Sequence, residues 1–167
     1  MAVWRMNLID NRKLGNRCKD QELKFRICIE KSIVGIGWGL NACFDSWEEY
    51  HTCADYRYHE NKGYTTAANA LKEMACGDLV WTQNPVTHER YLAQVLDSEP
   101  SLCCHLREFD LFSYRKADIF RVDEEQLSRY GLFEENISSR HTIERIREQH
   151  LIDATIQLSE FLKQNKS

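Results

Sequence analysis

The sequence is poor in the residues that interrupt regular structure, with only 2 prolines and 7 glycines among 167 residues. Collagen-like, linker-like and low-complexity chains are much richer in both, so these classes are excluded. Long apolar runs are also missing: the longest near-continuous one, over residues 33–40, has 8 residues, whereas a membrane-spanning helix needs about 20. The N-terminal sequence lacks a basic stretch followed by an apolar run, so we expect an unprocessed, cytoplasmic protein.

Paired metal ligands are lacking as well. The chain has 7 cysteines, but none forms a C-x-x-C pair, and the nearest metal-like groupings are His51-x-Cys53 and Cys103-Cys104-His105. Structural zinc sites usually show ligand pairs about two to four residues apart. We therefore expect reduced, mostly buried cysteines that act as small hydrophobic residues, with no metal site and no cofactor.

Neither sign of charge dominates the whole chain. The 22 lysines and arginines against 26 aspartates and glutamates give a net charge of −4, which excludes a protein that coats nucleic acid by charge alone. The segment 5–31 reverses this balance, with 8 basic and 4 acidic residues. Its candidates for phosphate contacts are Arg12, Lys13, Arg17 and Lys19. The alternative for this segment is a solvated surface loop.

Hydrophobic periodicity predicts an α+β protein with a curled mixed sheet, and a hydrophobic content of 43% is enough to form its core. The predicted strands are 3–9, 25–30, 33–40, 79–82, 90–96, 102–106 and 110–122.

The predicted helices follow from capping signals and helical spacing. Ser46 begins the first, Thr65 or Thr66 caps a second that Gly77 ends, Asp123 with Gln126 caps a short third that Gly131 ends, and residues 142–163 form one or two more. We expect one domain over residues 1–150, followed over 151–167 by a C-terminal helix that extends it or links it to a partner domain.

Signatures of catalysis are absent. The chain has no G-x-S-x-G elbow, no phosphate-binding P-loop and no G-x-G-x-x-G turn. Asp10 with Glu22 and Lys24 resembles the acidic half of a metal-dependent nuclease, but an acid-x-Lys triplet is common by chance where 29% of residues are charged. We expect no enzymatic activity from this chain itself, whether it acts alone or within a larger enzyme.

Trp38 is the aromatic residue with the most open surroundings in the sequence. It stands between Gly37 and Gly39, so no neighbouring side chain crowds the faces of its ring. A flipped-out base needs an aromatic face, backbone donors exposed by glycine and basic residues nearby for phosphates. Tryptophan is more often a core residue, and that is the competing interpretation for Trp47 and Trp81.

Five motifs follow one another over roughly residues 3 to 147. They are Trp4-Arg5 in the first strand, Gly35-Ile36-Gly37-Trp38, Gly77-Asp78-Leu79-Val80 after a helix, Tyr91-Leu92-Ala93-Gln94-Val95 in a hairpin, and Thr142-Ile143-Glu144-Arg145-Ile146 in a late helix. In order and spacing this pattern resembles the EVE-like branch of the PUA-like superfamily, whose relatives include the YTH domains.

The resemblance implies a PUA-like curled mixed sheet or small β-barrel surrounded by helices, with an aromatic cage for a modified base. It places Trp38 in the cage and Arg5 and Asn7 on the first-strand wall. Candidates for the rest of the pocket are Trp4, Gly37, Gly39, Trp47, Trp81 and Tyr114.

YTH domains read N6-methyladenine in RNA, and prokaryotic EVE-like domains resemble specificity modules of modification-dependent restriction systems of the McrB type. The resemblance therefore predicts a binding module for a modified, flipped-out base, in DNA rather than RNA, with a nuclease or NTPase domain or subunit as a candidate partner. The alternatives are an RNA reader, a metal-dependent nuclease, and an adaptor whose C-terminal helix docks a partner.

Overall fold

The computed structural model describes residues 1–8, 22–139 and 142–165. The strands are β1 (Val3–Met6), β2 (Ile33–Ile36), β3 (Leu79–Gln83), β4 (Arg90–Val95), β5 (Ser101–Leu102), β6 (Ser113–Val122) and β7 (Ile143–Arg145). The helices are α1 (Leu23–Glu30), α2 (Trp47–Tyr58), α3 (Lys62–Glu73), α4 (Glu124–Arg129), α5 (Glu134–Ile137) and α6 (Gln149–Gln164), with a 3-10 helix over Cys104–Phe109.

The strands form one curled mixed sheet in the order β2-β6-β4-β3-β1-β7, with β5 paired beside β6. β1 runs parallel to β3, and the other neighbours are antiparallel. The predicted α+β class, curled mixed sheet and C-terminal helix are confirmed. Among the described residues, no helix combines the length and the apolar character that crossing a bilayer requires.

Alternation along the strands divides the interior into two cores, one on each side of the sheet. Val80 and Ala93 pack with the buried residues of α1, α2 and α3, and we call this cluster the α1–α3 core. Leu79, Trp81 and Leu92 point the other way and pack with α4, α5 and α6 in the α6 core.

The apolar stripe of α6 lies against the sheet. Leu151, Leu158 and Leu162 are buried in the α6 core, and Ala154 and Phe161 pack against it half-buried. This packing favours a structural role for the stripe over the alternative of an adaptor surface.

The predicted helix caps are confirmed where the capping residue and its partner are close together in the sequence. The side chain of Ser46 accepts a hydrogen bond of 3.1 Å from the backbone of Glu49 at the start of α2, as predicted. Asp123 and Gln126 form the predicted capping box of α4, and Gly131 follows this helix with a φ of +65°.

The start of α3 differs from its prediction. Asn61 caps the helix, because its side chain accepts backbone hydrogen bonds from Gly63 at 3.0 Å and from Tyr64 at 3.3 Å. The predicted cap at Thr65 or Thr66 is therefore wrong, and α3 begins one turn earlier.

The end of α3 is closed by a buried arginine rather than by Gly77. Arg115 is fully buried, and its guanidinium donates to the carbonyl oxygens of Leu71 at 3.0 Å and of Met74. The carboxylate of Asp97, 2.7 Å away, balances its charge. Gly77, with a φ of +92°, lies in the turn that leads into β3.

Two predicted elements have the wrong type. Residues 25–30 belong to α1 rather than to a strand, because burial recurs at helical spacing over Lys24, Phe25, Ile27 and Cys28.

The predicted late helix begins only at Gln149, because residues 143–145 form the edge strand β7. Ile143 lies in the α1–α3 core and Ile146 in the α6 core, so a spacing of three residues places them on opposite sides of the sheet. The helical interpretation of the Thr142–Ile146 motif is wrong.

Smaller corrections concern two strands and the thiols. The strand predicted over 33–40 ends at Ile36, and most of 102–106 lies in the 3-10 helix instead of a strand. The six cysteines of the described ranges are free, as predicted, but only Cys28 among them is buried. The prediction of mostly buried cysteines is therefore wrong.

Candidate functional site

A cavity of about 670 Å³ opens beside Trp38, where the loop after β2 meets the turn between α2 and α3 and the 3-10 helix. This volume is typical of small-molecule sites. The described residues that line it are Lys24, Trp38, Gly39, Asn41, Tyr58, Asn61, Arg107, Glu108, Asp110 and Thr142. The lining combines aromatic surface with carboxamides, cations and carboxylates, so an occupant can both stack and form hydrogen bonds.

Tyrosines of α2 and α3 hold Trp38 at the cavity. Its backbone has a φ of +58°, a left-handed conformation that costs a non-glycine residue about 1 kcal/mol or more. The hydroxyl of Tyr50 donates to the carbonyl oxygen of Trp38 at 3.1 Å, and that of Tyr58 donates to Gly39 at 3.0 Å. The ring of Tyr64 meets the indole edge to face, with centroids 6.1 Å apart. The indole is therefore fixed in place although it is only half-buried.

Burial raises the pKa of the phenols of Tyr50, Tyr58 and Tyr64 above the ordinary value of 10.0. Tyr50 and Tyr58 consequently stay protonated and keep donating to the loop at physiological pH.

An ion pair forms another part of the cavity wall. Nζ of Lys24 lies 3.2 Å from Oδ2 of Asp110, and the lysine side chain is only 2% exposed. Asp110 itself has a φ of +56° after the 3-10 helix. A Cβ atom at Gly37 would lie 1.9 Å from Oδ1 of Asp110, so the carboxylate occupies space that only glycine leaves open.

The charges on the described lining cancel. Lys24 and Arg107 contribute two positive charges, and Glu108 and Asp110 contribute two negative ones. Arg107 also ties the 3-10 helix to the loop, because its guanidinium donates to the carbonyl oxygen of Leu40 at 3.3 Å. A wall without net charge suits a neutral polar group such as a nucleobase better than a phosphate.

The structure brings three of the nine predicted pocket residues together. Trp38 and Gly39 line the cavity, and Gly37 adjoins it through its close approach to Asp110. The other six lie elsewhere.

The predicted first-strand residues face other surroundings. The buried indole of Trp4 donates to Oδ2 of Asp78 at 3.1 Å. Arg5 pairs with Glu144 at 2.5 Å on the neighbouring strand β7. Asn7 lines a separate cavity of about 120 Å³.

The remaining aromatic candidates pack within the protein. Trp47 is buried against Tyr50, with ring centroids 5.5 Å apart. The indole of Trp81 lies in the α6 core and donates to Oγ1 of Thr155 at 3.1 Å. Tyr114 packs half-buried against the α1–α3 core. Trp47 and Trp81 thus take the core positions of the competing interpretation.

The predicted phosphate contacts and one nuclease residue fall outside the described residues. These are Arg12, Lys13, Arg17, Lys19 and Asp10.

The rest of the nuclease triplet has structural partners. Oε1 of Glu22 accepts a hydrogen bond of 2.6 Å from Asn84, and Lys24 pairs with Asp110. In the part of the chain that the structure describes, no group of three or more histidine, cysteine, aspartate or glutamate side chains is placed to hold a metal ion.

Sequence reasoning missed most of the polar lining. Asn61 had a usable signal, since an asparagine that precedes a helical pattern is a common cap. In the sequence, Lys24 stands out only as part of an acid-x-Lys triplet. No local pattern marks Asp110, because tertiary folding brings it to the cavity from a position 86 residues away from Lys24.

No protein-family model matches the sequence, and no curated protein is significantly similar to it. The class of the protein therefore follows from its own structure: an α+β domain with a curled mixed sheet and a polar cavity walled by tryptophan and tyrosine.

Proposed function

We propose that this chain is a nucleic-acid-binding module that accepts a modified, flipped-out base in the cavity beside Trp38. The proposal adopts a PUA-like fold of the EVE type, with which the curled mixed sheet and its surrounding helices are compatible. Following that resemblance, the target is DNA, and the module serves as a specificity domain for a nuclease or NTPase partner in a modification-dependent restriction system.

The observation that carries the proposal is the fixed, half-buried indole of Trp38 at the edge of a polar cavity. The left-handed backbone of Trp38, held by tyrosine hydroxyls, costs conformational free energy. The indole is only half-buried, so its packing offsets little of this cost. Such strain is concentrated at binding and active sites. Stacking of one base on an aromatic side chain contributes about 1–3 kcal/mol, and this gain can offset the cost of unstacking that base from the duplex.

The neutral wall is consistent with recognition of the base rather than of the backbone. Binding strength from phosphates has to come from residues beyond the cavity, and the basic segment 9–21 is the candidate for that role. Arg5 is no longer assigned to the pocket, because it is engaged by Glu144 and by the backbone of Asn136.

The test is fluorescence-polarisation binding at low salt to matched duplexes that differ at one base. The panel contains unmodified DNA, N6-methyladenine, 5-methylcytosine, 5-hydroxymethylcytosine and 8-oxoguanine, with an RNA duplex beside them. One added methyl group contributes about 0.8 kcal/mol, so we expect a preference of about fourfold or more for one modified duplex.

The variant Trp38→Ala should erase this preference while the protein stays folded. Tyr56→Ala is the matched control, because Tyr56 is an aromatic residue that is 85% exposed on α2. It should bind like the unchanged protein. Equal binding of all duplexes by the unchanged protein would refute the proposal, and a preference confined to RNA would reassign the target.

A further inference from the structure

We infer that Cys43 and Cys104 form a redox modification site, at which a low-molecular-weight disulfide such as oxidised glutathione converts the two thiols into a reversible internal disulfide. The bridge joins the loop after β2 to the 3-10 helix, and both segments contribute to the wall of the cavity beside Trp38. The inference concerns the two thiols alone and does not depend on what the cavity binds.

The sulfur of Cys104 lies against the backbone on both sides of Cys43. Its thiol donates a hydrogen bond of 3.7 Å to the carbonyl oxygen of Ala42, the residue before Cys43. The backbone N–H of Phe44, the residue after Cys43, donates to the same sulfur. A disulfide needs two cysteines whose side chains meet, and these contacts bring Cys104 to Cys43 although the two lie far apart in the sequence.

Burial does not account for this pair of cysteines. Cys43 is exposed and Cys104 is only half-buried, whereas a cysteine that serves as a small hydrophobic residue is enclosed, as Cys28 is. Redox-sensitive cysteines are solvent-accessible and often lie next to a second cysteine that resolves the first oxidation product. A glutathione-buffered compartment keeps such thiols reduced, so a disulfide formed there is usually transient.

Exposure and pKa together give the order in which the two thiols react. Interaction with the thiol of Cys43 is the largest cause that raises the pKa of the Cys104 thiol above its ordinary value of 9.0, and desolvation adds to it. Cys104 is therefore mostly protonated at neutral pH, and the thiolate is the reactive form of a cysteine. The exposed Cys43 consequently reacts with the oxidant first.

The reaction is a pair of thiol–disulfide exchanges. The thiolate of Cys43 attacks one sulfur of oxidised glutathione, which breaks the S–S bond of the oxidant and releases one glutathione thiolate. Cys104 then loses its proton and attacks the sulfur of Cys43, which releases the second glutathione. The protein thiols give up two electrons and two protons in all, and the oxidant takes them up as two molecules of reduced glutathione.

The bridge reinforces a connection that the reduced protein already has. Arg107 of the 3-10 helix donates to the carbonyl oxygen of Leu40 in the loop at 3.3 Å. Trp38 lines the cavity from the loop, and Glu108 lines it from the helix, so a covalent link fixes two parts of the wall relative to each other. The link also closes a loop of about 60 residues in the unfolded chain, and we therefore expect the midpoint of thermal unfolding to rise by about 5 °C or more.

The experiment incubates the reduced full chain with oxidised glutathione under native conditions, blocks the remaining thiols with iodoacetamide and maps the disulfides by mass spectrometry of peptides. We expect Cys43–Cys104 to be the main internal disulfide, in about tenfold excess over any other pair, because the fold raises the effective concentration of one thiol at the other. The same incubation in urea should lose this preference, and dithiothreitol should restore both thiols.

Variants test both the pairing and its order. Cys104→Ser should leave the glutathione adduct on Cys43 unresolved, so that this adduct accumulates, and Cys43→Ser should leave Cys104 largely as a thiol. Cys103→Ser is the matched control, because Cys103 adjoins Cys104 and is also half-buried. It should form the bridge and show the higher unfolding midpoint like the unchanged chain. Thermal unfolding of the reduced variants checks that they are folded.

Three results would overturn the inference. The first is a main internal disulfide that uses another cysteine, such as Cys103 or Cys18, in place of Cys43 or Cys104. The second is a glutathione adduct that persists on Cys43 in the unchanged chain, because Cys104 would then not reach it. The third is a bridged protein that unfolds at the same temperature as the reduced one.

Discussion

The two sides of the sheet differ in how their residues are packed. On the side of the α6 core, a long amphipathic helix seals the sheet, and Trp81 completes its hydrogen bonding with Thr155 inside the protein. On the side of the α1–α3 core, the buried Lys24 and the half-buried Tyr58 line a cavity beside Trp38. The first side is closed by apolar packing, whereas the second combines a larger apolar cluster with a polar cavity at its edge.

Removal of the indole at Trp81 should give the largest effect, and it tests the sealed side directly. Trp81→Ala should lower the free energy of unfolding by about 3–5 kcal/mol, because it empties a fully buried volume. Trp38→Ala should lower it by only about 1 kcal/mol, because that ring is already half-exposed. Urea unfolding followed by circular dichroism measures both values.

Trp81→Phe separates packing from hydrogen bonding on this side. It keeps an aromatic ring but leaves Oγ1 of Thr155 without its donor, so the expected loss is about 1–2 kcal/mol beyond the effect of the smaller ring. Similar losses for Trp38→Ala and Trp81→Ala would show that Trp38 is a core residue and that the two sides do not differ.

A methyl group at Gly37 should have the next largest effect, because it tests the close approach that shapes the cavity wall. Gly37→Ala places a Cβ atom 1.9 Å from Oδ1 of Asp110, so the ion pair with Lys24 has to move or break. We expect a loss of about 1–3 kcal/mol in urea unfolding.

Gly63→Ala is the matched control for this prediction. Gly63 lies in the first turn of α3, where the nearest atom to an added Cβ is Oδ1 of Asn61 at 3.1 Å. Alanine favours the helix by up to about 1 kcal/mol, but the carboxamide of Asn61 has to shift slightly, so the two effects should nearly cancel and the net change should stay below about 1 kcal/mol. A Gly37→Ala protein as stable as Gly63→Ala would mean that Asp110 does not need its observed position.

The fold was predictable where residues close together in the sequence determine the local structure. The caps at Ser46 and Asp123 and the β3–β4 hairpin follow from residues close together in the sequence. The assignment of α1 failed because Phe25, Ile27 and Ile29 also alternate as in a strand. Only packing against the sheet decides between the two patterns.

The candidate site was predictable only in part, for the same reason. Trp38 was evident because glycines flank it, and this signal lies within three residues. The partners of Trp38 come from α2 and α3, and the Lys24–Asp110 pair joins positions 86 residues apart. The topology of the fold brings these residues together into the cavity wall. No periodic pattern within one segment of the sequence can therefore indicate it.

High pH should lower the free energy of unfolding through the α1–α3 core. Near neutral pH this effect is the smallest of those predicted. Burial raises the pKa of the Cys28 thiol, in the α1–α3 core, from 9.0 to about 12. Between these values the unfolded chain releases a proton that the folded chain keeps, so the free energy of unfolding falls as pH rises. The expected slope from this group is about 1.4 kcal/mol per pH unit, and the buried phenols of Tyr50 and Tyr64 act with the same sign at still higher pH.

Urea unfolding at pH 8, 9 and 10 measures this slope. Cys28→Ala should flatten the fall above pH 9, whereas Cys53→Ala should not, because Cys53 is exposed on α2 and gains no burial on folding. Comparison of slopes rather than absolute stabilities removes the cost of the small cavity at position 28. An unchanged slope in Cys28→Ala would place the origin of alkaline instability outside this thiol. The predicted pH dependence of stability through Cys28 in the α1–α3 core would then be wrong.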